Sequence, residues 1–342
     1  MEEVKKRIEW VDIGKFICIM FVMLSHLDSG SDMLDKFYRP FFLTVFFFLS
    51  GYVYRQPETF SEHIKNKVRG LFIPWLIFSH LNILLSMIFS FKGNRNLSEF
   101  IWNWLQIRGK GDGIWFVAAL FVAYIPFYFI IKQNKPIKTC VVAFCLSLAS
   151  VIYTHIMPAE YLPWNSTALP WHLEYIFQAM LWMVLGYYFK QYGENLFDKL
   201  NTVRNRILIW LIYIVMAYIP NISGGGIALS YIRSVLGITA IIAVCKVIKN
   251  NKYISFVGSN TLTYFALHGK IYTIIQKILE KVVGGLYQMC LNNPWTSSIL
   301  AVVITFITSL VLIIPAVIIN RYFPWILGRK RRSLIKQSYK QC

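Results

Sequence analysis

The chain has 342 residues, of which 56% are hydrophobic, 17% aromatic and only 15% charged. Soluble domains carry roughly 25% charged residues, and so much apolar surface would aggregate in water. A soluble enzyme, a disordered chain and a coiled coil are therefore excluded. Apolar segments long enough to cross a bilayer recur along the whole chain. We interpret the protein as a single all-α, polytopic membrane domain over residues 1–342.

Ten segments approach the roughly 20 mostly apolar residues that a membrane-spanning helix needs. We predict helices because the strict alternation of a barrel strand is absent and lipid offers no partner for an open sheet edge. The predicted spans are 9–28, 37–54, 71–91, 114–131, 138–157, 170–189, 207–222, 227–248, 260–280 and 298–320.

The formal net charge of +19 follows the predicted loops. With the N-terminus in the cytoplasm, the inner segments carry about three times as many Lys and Arg residues as the outer ones, which predicts that both termini are cytoplasmic. The basic tail at 321–342 is then a solvated or lipid-headgroup face and not a nucleic-acid site. Cysteine and histidine spacings predict no metal site. We expect the protein in the cell (inner or plasma) membrane; the sequence does not predict its oligomeric state.

Charged side chains within a span mark candidate sites, because each costs at least about 2.5–3.5 kcal/mol at mid-bilayer. Asp12, Lys15 and His26 share one face of the first predicted span. At about 1.5 Å per residue, His26 lies about 16 Å further along the helix than Lys15, which is comparable to the reach of a pantetheine arm. The alternative is an interfacial Asp12–Lys15 ion pair and a hydrogen-bonded interior histidine.

Two further histidines lie in predicted spans. His172 is followed by Glu174 at the start of the sixth span. A histidine near a carboxylate is what proton transfer from a hydroxyl requires, although polar tips in a headgroup layer would give the same pattern. His268 lies within the ninth span, where a helix–helix hydrogen bond is the more common role.

A cluster of cations occupies the loop between the second and third spans. The positive-inside bias explains such a cluster, and so would the binding of a polyphosphate nucleotide. The cluster consists of Arg55, Lys65, Lys67 and Arg69.

Five motifs, in order, resemble the acyltransferase 3 family of integral-membrane O-acyltransferases over nearly the whole chain. The first is Arg7 to Lys15, with His26 following Lys15 after ten positions. The others are Phe47–Tyr52, Arg69–Trp75, Ile114–Leu120 and Gly258–His268. The Asp-Ile-Gly-Lys sequence within the first motif resembles the fucose 4-O-acetylase-like branch of this family.

The resemblance implies an acyl-CoA co-substrate, expected to be acetyl-CoA, and a hydroxyl acceptor on a cell-surface polysaccharide or lipid-linked sugar. His26 becomes the expected catalytic base or transient acyl carrier, with Asp12 orienting Lys15. The expected donor-binding residues are Lys15, Arg55 and Arg69, with Ser50 and His268 along the donor passage. The expected acceptor-binding residues are Trp115, His172 and Glu174.

Two other functions fit the same pattern of intramembrane charges. A transporter or flippase for a glycan or small solute would use them as its pathway. A non-catalytic membrane scaffold would leave the shared face of Asp12, Lys15 and His26 without a purpose.

Overall fold

A computed structural model describes residues 8–27, 32–89, 114–157, 169–220 and 226–329. These residues are mostly helical and contain no β-strand, so the all-α prediction is confirmed for them. The predicted outer connection at 92–113 and most of the basic tail, from residue 330 onward, lie outside the described residues.

The helices fall on all ten predicted segments. In the first half they are α1 (Glu9–Ser25), α2 (Asp32–Tyr38), α3 (Phe42–Tyr52), α4 (Phe60–Lys67), α5 (Ile73–Phe89), α6 (Trp115–Lys132) and α7 (Pro136–Ile156). In the second half they are α8 (Ile176–Tyr188), α9 (Glu194–Leu200), α10 (Val203–Tyr218), α11 (Gly226–Cys245), α12 (Lys252–Ser259), α13 (Thr261–Leu291), α14 (Pro294–Val311) and α15 (Ile313–Tyr322). Single π-helical turns at Val68–Phe72 and Phe189–Gly193 join α4 to α5 and α8 to α9.

Five helical stretches among the described residues are long and apolar enough to cross a membrane. A sixth is formed if the pair 170–200 and 203–218, bent by 107°, counts as one span. The five are Phe60–Leu85, Trp115–Lys132, Pro136–Ile156, Gly226–Cys245 and Pro294–Tyr322. Ten crossings and cytoplasmic termini remain predictions.

The second predicted span, 37–54, is not one helix. It is divided between α2 and α3, with Pro40 at the break. Proline has no N–H to donate and its ring clashes with the preceding turn, so it interrupts the helix. The Pro40 carbonyl accepts a hydrogen bond from the Ser234 hydroxyl at 2.7 Å, which satisfies a backbone group that the interrupted helix leaves unpaired.

Helix α1 lies at the centre of the bundle. It packs against α3, α11, α12, α13 and α14, and its apolar side chains, such as Ile13, Ile19 and Met23, are buried. A helix that is surrounded in this way can present its few polar side chains to an interior cavity. On this helix Asp12 is buried and Lys15 is half-buried, so both lie within the bundle.

Helices α3 and α8 cross with their backbones in contact. A Cβ added to Gly51 would lie 1.9 Å from the Met183 carbonyl oxygen, and one added to Gly186 would lie 1.9 Å from the Phe48 carbonyl oxygen. Small residues at a membrane helix crossing allow this close approach. The crossing fixes α3, which carries Ser50, against α8.

Candidate active site

A cavity of about 520 Å³ lies at the Lys15 end of α1. Its described cations come from four separate elements: α1, the chain after α3, the end of α4 and the π-helical turn after α8. Asp12, which is only 6% exposed, is the acidic residue among them. The charged residues lining this cationic cavity are Asp12, Lys15, Arg55, Lys67 and Lys190.

A second cavity of about 260 Å³ adjoins the cationic cavity, with Lys15 and Ser50 lining both. It follows one face of α1 from Lys15 past Ile19 to Val22. Its lining is polar at the Lys15 end and apolar toward Val22, where Phe116 and Phe265 also line it. We call this second cavity the passage.

His26 lies directly after α1, one helical turn beyond Val22, on the face that the passage follows. It is exposed and lines neither cavity. Its Nδ1 lies 2.7 Å from the Val22 carbonyl oxygen, and because a carbonyl only accepts, Nδ1 carries the proton. Nε2 therefore carries the lone pair that a base or nucleophile needs.

His268 contacts His26. The two ring centroids are 4.7 Å apart, at an interplanar angle of 66°. His268 is only 3% exposed, and its Nδ1 donates to the Phe265 carbonyl oxygen at 2.8 Å. His268 does not itself line the passage, but it contacts both His26 and Phe265, which lines it.

A third histidine supports the cationic cavity. His63 is fully buried; its Nε2 donates to the Tyr124 carbonyl oxygen at 3.0 Å, so its Nδ1 accepts from the Tyr54 hydroxyl at 2.9 Å. The Lys67 ammonium lies 3.5 Å from the centroid of the Tyr124 ring, a cation–π contact. His63 thereby holds the two tyrosines, and Tyr124 in turn holds Lys67 at the cavity.

A cluster of aromatic rings lies where α6 begins. The Trp115 ring contacts His172 at 4.7 Å and Tyr175 at 5.1 Å between centroids. The Trp171 ring contacts Trp75 at 5.7 Å. Trp115 contacts His172, and His172 contacts Glu174, so these three residues lie together; that they bind the acceptor stays a prediction.

Glu174 anchors this cluster. Its side chain accepts from the Leu169 N–H at 2.8 Å and from His172 Nδ1 at 3.0 Å, and the residue is 5% exposed. The Ser150 hydroxyl also donates to the Glu174 carbonyl oxygen. The carboxylate accepts from Nδ1 of His172, which leaves Nε2 with the lone pair in the neutral ring. A carboxylate that orients an imidazole in this way is an arrangement suited to base catalysis.

The backbone beside Glu174 is strained. Trp171 has φ 54° and ψ 21°, and His172 has φ 54° and ψ 44°, within a short 3₁₀ turn over Pro170–Tyr175. Left-handed backbone costs about 1–3 kcal/mol per non-glycine residue and persists only where surrounding contacts enforce it. The two hydrogen bonds to the Glu174 carboxylate and the ring contacts of Trp171 and His172 are such contacts.

A line of ring contacts joins this cluster to the histidine pair. Trp115 contacts Phe116 at 6.3 Å, Phe116 contacts Phe265 at 6.0 Å, and Phe265 contacts His268 at 6.2 Å. His172, next to Trp115, and His26, next to His268, therefore belong to one continuous aromatic region at the His26 end of α1.

Two of the predicted donor residues, Arg69 and His268, line neither cavity. The Arg69 side chain is exposed. Lys67, from the predicted cation cluster, lines the cationic cavity, and two cations that the sequence did not point to, Lys190 and Arg329, also line a cavity. No group of three or more His, Cys, Asp or Glu residues with the geometry of a metal site occurs in the described ranges.

Residues 8–314 match the family model described as an acyltransferase domain, that of the acyltransferase 3 family. The chain belongs to this family. Comparison with curated proteins found no match, and comparison with solved structures found none. Family membership and the apolar helices together identify a membrane acyltransferase.

Proposed function

We propose that this acyltransferase 3 protein moves an acetyl group from cytoplasmic acetyl-CoA to a hydroxyl of a cell-surface polysaccharide or lipid-linked sugar. The observation that carries the proposal is the pair of adjoining cavities. The cationic cavity adjoins the passage at Lys15 and Ser50, and the passage follows α1 to within one turn of His26.

The donor fits these cavities by charge and polarity. Coenzyme A carries several phosphate charges at one end, which lysine and arginine side chains bind by charge-assisted hydrogen bonds. Lys15, Arg55, Lys67 and Lys190 supply four cations around one volume. The uncharged pantetheine arm would then occupy the passage, whose lining becomes apolar toward Val22.

The chemistry would take place at His26. Nε2 of His26 accepts the proton of the sugar hydroxyl as the oxygen attacks the thioester carbonyl. The new carbon–oxygen bond replaces the carbon–sulfur bond, and the proton passes to the departing thiolate. In a two-step variant Nε2 itself takes the acyl group first and the hydroxyl then removes it; both routes use the same nitrogen.

The acceptor would bind in the aromatic cluster. Trp115 offers a flat apolar surface to a sugar ring, and the His172–Glu174 pair offers a hydrogen-bonding edge beside it. Recognition sites commonly combine an apolar surface with a few well-placed polar groups. We propose that the protein works in the bilayer of the cell membrane. We also propose that its acceptor specificity resembles that of the fucose 4-O-acetylase-like branch.

The test is the variant His26→Ala in the native membrane, with acetylation of surface glycans measured by mass spectrometry. We expect acetylation to fall about 10²–10⁴-fold, the usual contribution of a general base. His155→Ala is a matched control because His155 is also exposed and also places Nδ1 near the carbonyl oxygen four residues earlier, at 2.9 Å. Retained acetylation in His26→Ala, at normal membrane abundance, would refute the mechanism.

A deletion strain separates acyl transfer from transport. An acetyltransferase leaves the glycan on the cell surface and removes only its acetyl groups. A flippase would instead deplete the surface glycan itself. Glycan depletion with the remaining chains still acetylated would exclude the proposed activity.

A further inference from the structure

The chain beyond the family match folds back onto the passage. The match ends at residue 314, within α15. After α15 the chain forms a 3₁₀ turn over Pro324–Leu327 and continues to Gly328 and Arg329. We call residues 324–329 the C-terminal segment. Its own backbone hydrogen bonds, from the Gly328 N–H to Trp325 and from the Arg329 N–H to Pro324, give it a defined shape.

The C-terminal segment packs directly on the turn that carries Arg69. Gly328 has φ +67°, and a Cβ added there would lie 2.4 Å from the Arg69 carbonyl oxygen and 3.0 Å from the Gly70 Cα. Only glycine combines this left-handed backbone with so close an approach. Since Gly70 and Leu71 line the passage, the segment is seated against one of its walls.

Arg329 ties the segment to the opposite wall. Its Nη2 donates to the Ser259 carbonyl oxygen at 2.6 Å, and its Nη1 donates to the side-chain oxygen of Asn320 and, at 3.4 Å, to that of Asn260. Asn320 also donates to Asn260 at 2.8 Å. The guanidinium therefore fixes the junction between α12 and α13 to α15, in a geometry that a lysine cannot reproduce.

Both walls and the segment itself line the passage. Leu327 and Arg329 are lining residues, as are Ser259, Asn260 and Lys15. The polar end of the passage is thus completed by residues that the family model does not cover.

We propose that the C-terminal segment forms the wall of the passage around the pantetheine arm of the donor, with Arg329 as the positioning residue that holds this wall together. The inference rests on the proposed use of coenzyme A. The segment would contact the pantetheine arm and not the nucleotide, because Leu327 and Arg329 line only the passage. The cations proposed to bind the phosphates, including Arg55, Lys67 and Lys190, line the cationic cavity.

The test compares two probes on the purified full-length protein in detergent: coenzyme A, and 3′-phosphoadenosine 5′-diphosphate, which is coenzyme A without its pantetheine arm. In Arg329→Gln we expect the Kd for coenzyme A to rise about fivefold and the Kd for the nucleotide to stay within about twofold. Arg321→Gln is the matched control, because Arg321 is exposed on α15 and lines neither cavity. Leu327→Ala leaves the Arg329 hydrogen bonds intact and should also weaken coenzyme A selectively.

An equal loss of affinity for both probes in Arg329→Gln would overturn the inference, since it would indicate a general structural defect. Unchanged affinity for coenzyme A in Leu327→Ala and in a folded Arg329→Gln would overturn it as well. If Arg329→Gln does not fold, Leu327→Ala alone decides. A wild-type protein that binds neither probe would instead refute the donor assigned under the proposed function.

Discussion

The two ends of α1 are built in contrasting ways. At the Lys15 end, cations from four elements surround an open volume of about 520 Å³. At the His26 end, rings pack against one another, and the carboxylate of Glu174 is buried in a strained turn. The first end is suited to holding a flexible, highly charged molecule, and the second to orienting reactive groups.

The contrast separates two kinds of energetic effect. Charges around an open cavity, such as the cationic cavity, contribute to ligand binding, and salt screens them. A buried carboxylate that accepts hydrogen bonds contributes to stability, because removing it leaves buried donors unsatisfied. Substitutions at the Lys15 end should therefore change affinity, and those near His172 should change folding.

Among substitutions at the two ends of α1, Glu174→Ala should have the largest effect. It removes the acceptor of the Leu169 N–H and of His172 Nδ1, and the strained turn loses two restraints. We expect the free energy of unfolding to fall by about 1–3 kcal/mol, measured by thermal and denaturant unfolding in detergent. Glu62→Ala, at an exposed position of α4, is the control and should leave stability nearly unchanged.

Lys15→Ala should weaken the binding of the donor and leave the binding of the acceptor unchanged. Loss of one charge-assisted contact at the junction of the two cavities should raise the Kd for coenzyme A about tenfold, which is about 1.4 kcal/mol, and flatten its salt dependence. Isothermal titration at several salt concentrations measures both. Lys199→Ala, an exposed lysine on α9, is the control; equal affinities for the two variants would remove Lys15 from the donor site.

Ser50→Ala should have the smallest effect. Although Ser50 lines both cavities, its hydroxyl donates to the Phe46 carbonyl oxygen of its own helix at 2.8 Å. Its loss should change the Kd for coenzyme A by about twofold at most. Thr44→Val removes a similar bond, from Thr44 to Phe41 at 2.9 Å, at a position lining neither cavity. A tenfold loss in Ser50→Ala alone would show that the hydroxyl turns toward the donor.

The sequence predicted the helical segments well, because bilayer-length apolar runs dictate helix formation. It also placed Lys15 and His26 on the face that the passage follows, since that depends only on helical periodicity within one element. It did not predict the break at Pro40, because the predicted span over 37–54 includes Arg39 and Pro40 within one apolar segment.

The sequence did not predict the contacts between elements that lie far apart along the chain. Nothing in the sequence around α4 indicated that His63 bonds to Tyr54 and Tyr124. Arg329 looked like part of a basic tail, yet it binds Ser259 seventy positions earlier in the chain. An arginine within an apolar segment can also be structural: Arg233 donates to the carbonyl oxygens of Met216 and Ile219 at the end of α10.

The glycine crossing of α3 and α8 has a mechanical consequence. With Gly51 and Gly186 in backbone contact, the two helices cannot slide or separate without losing their packing, so we expect them to behave as a single rigid body. Ser50 and Tyr188, one on each helix, are then fixed relative to each other throughout the reaction cycle. We therefore expect any widening of the passage to come from α13 and its neighbours and not from α3 and α8.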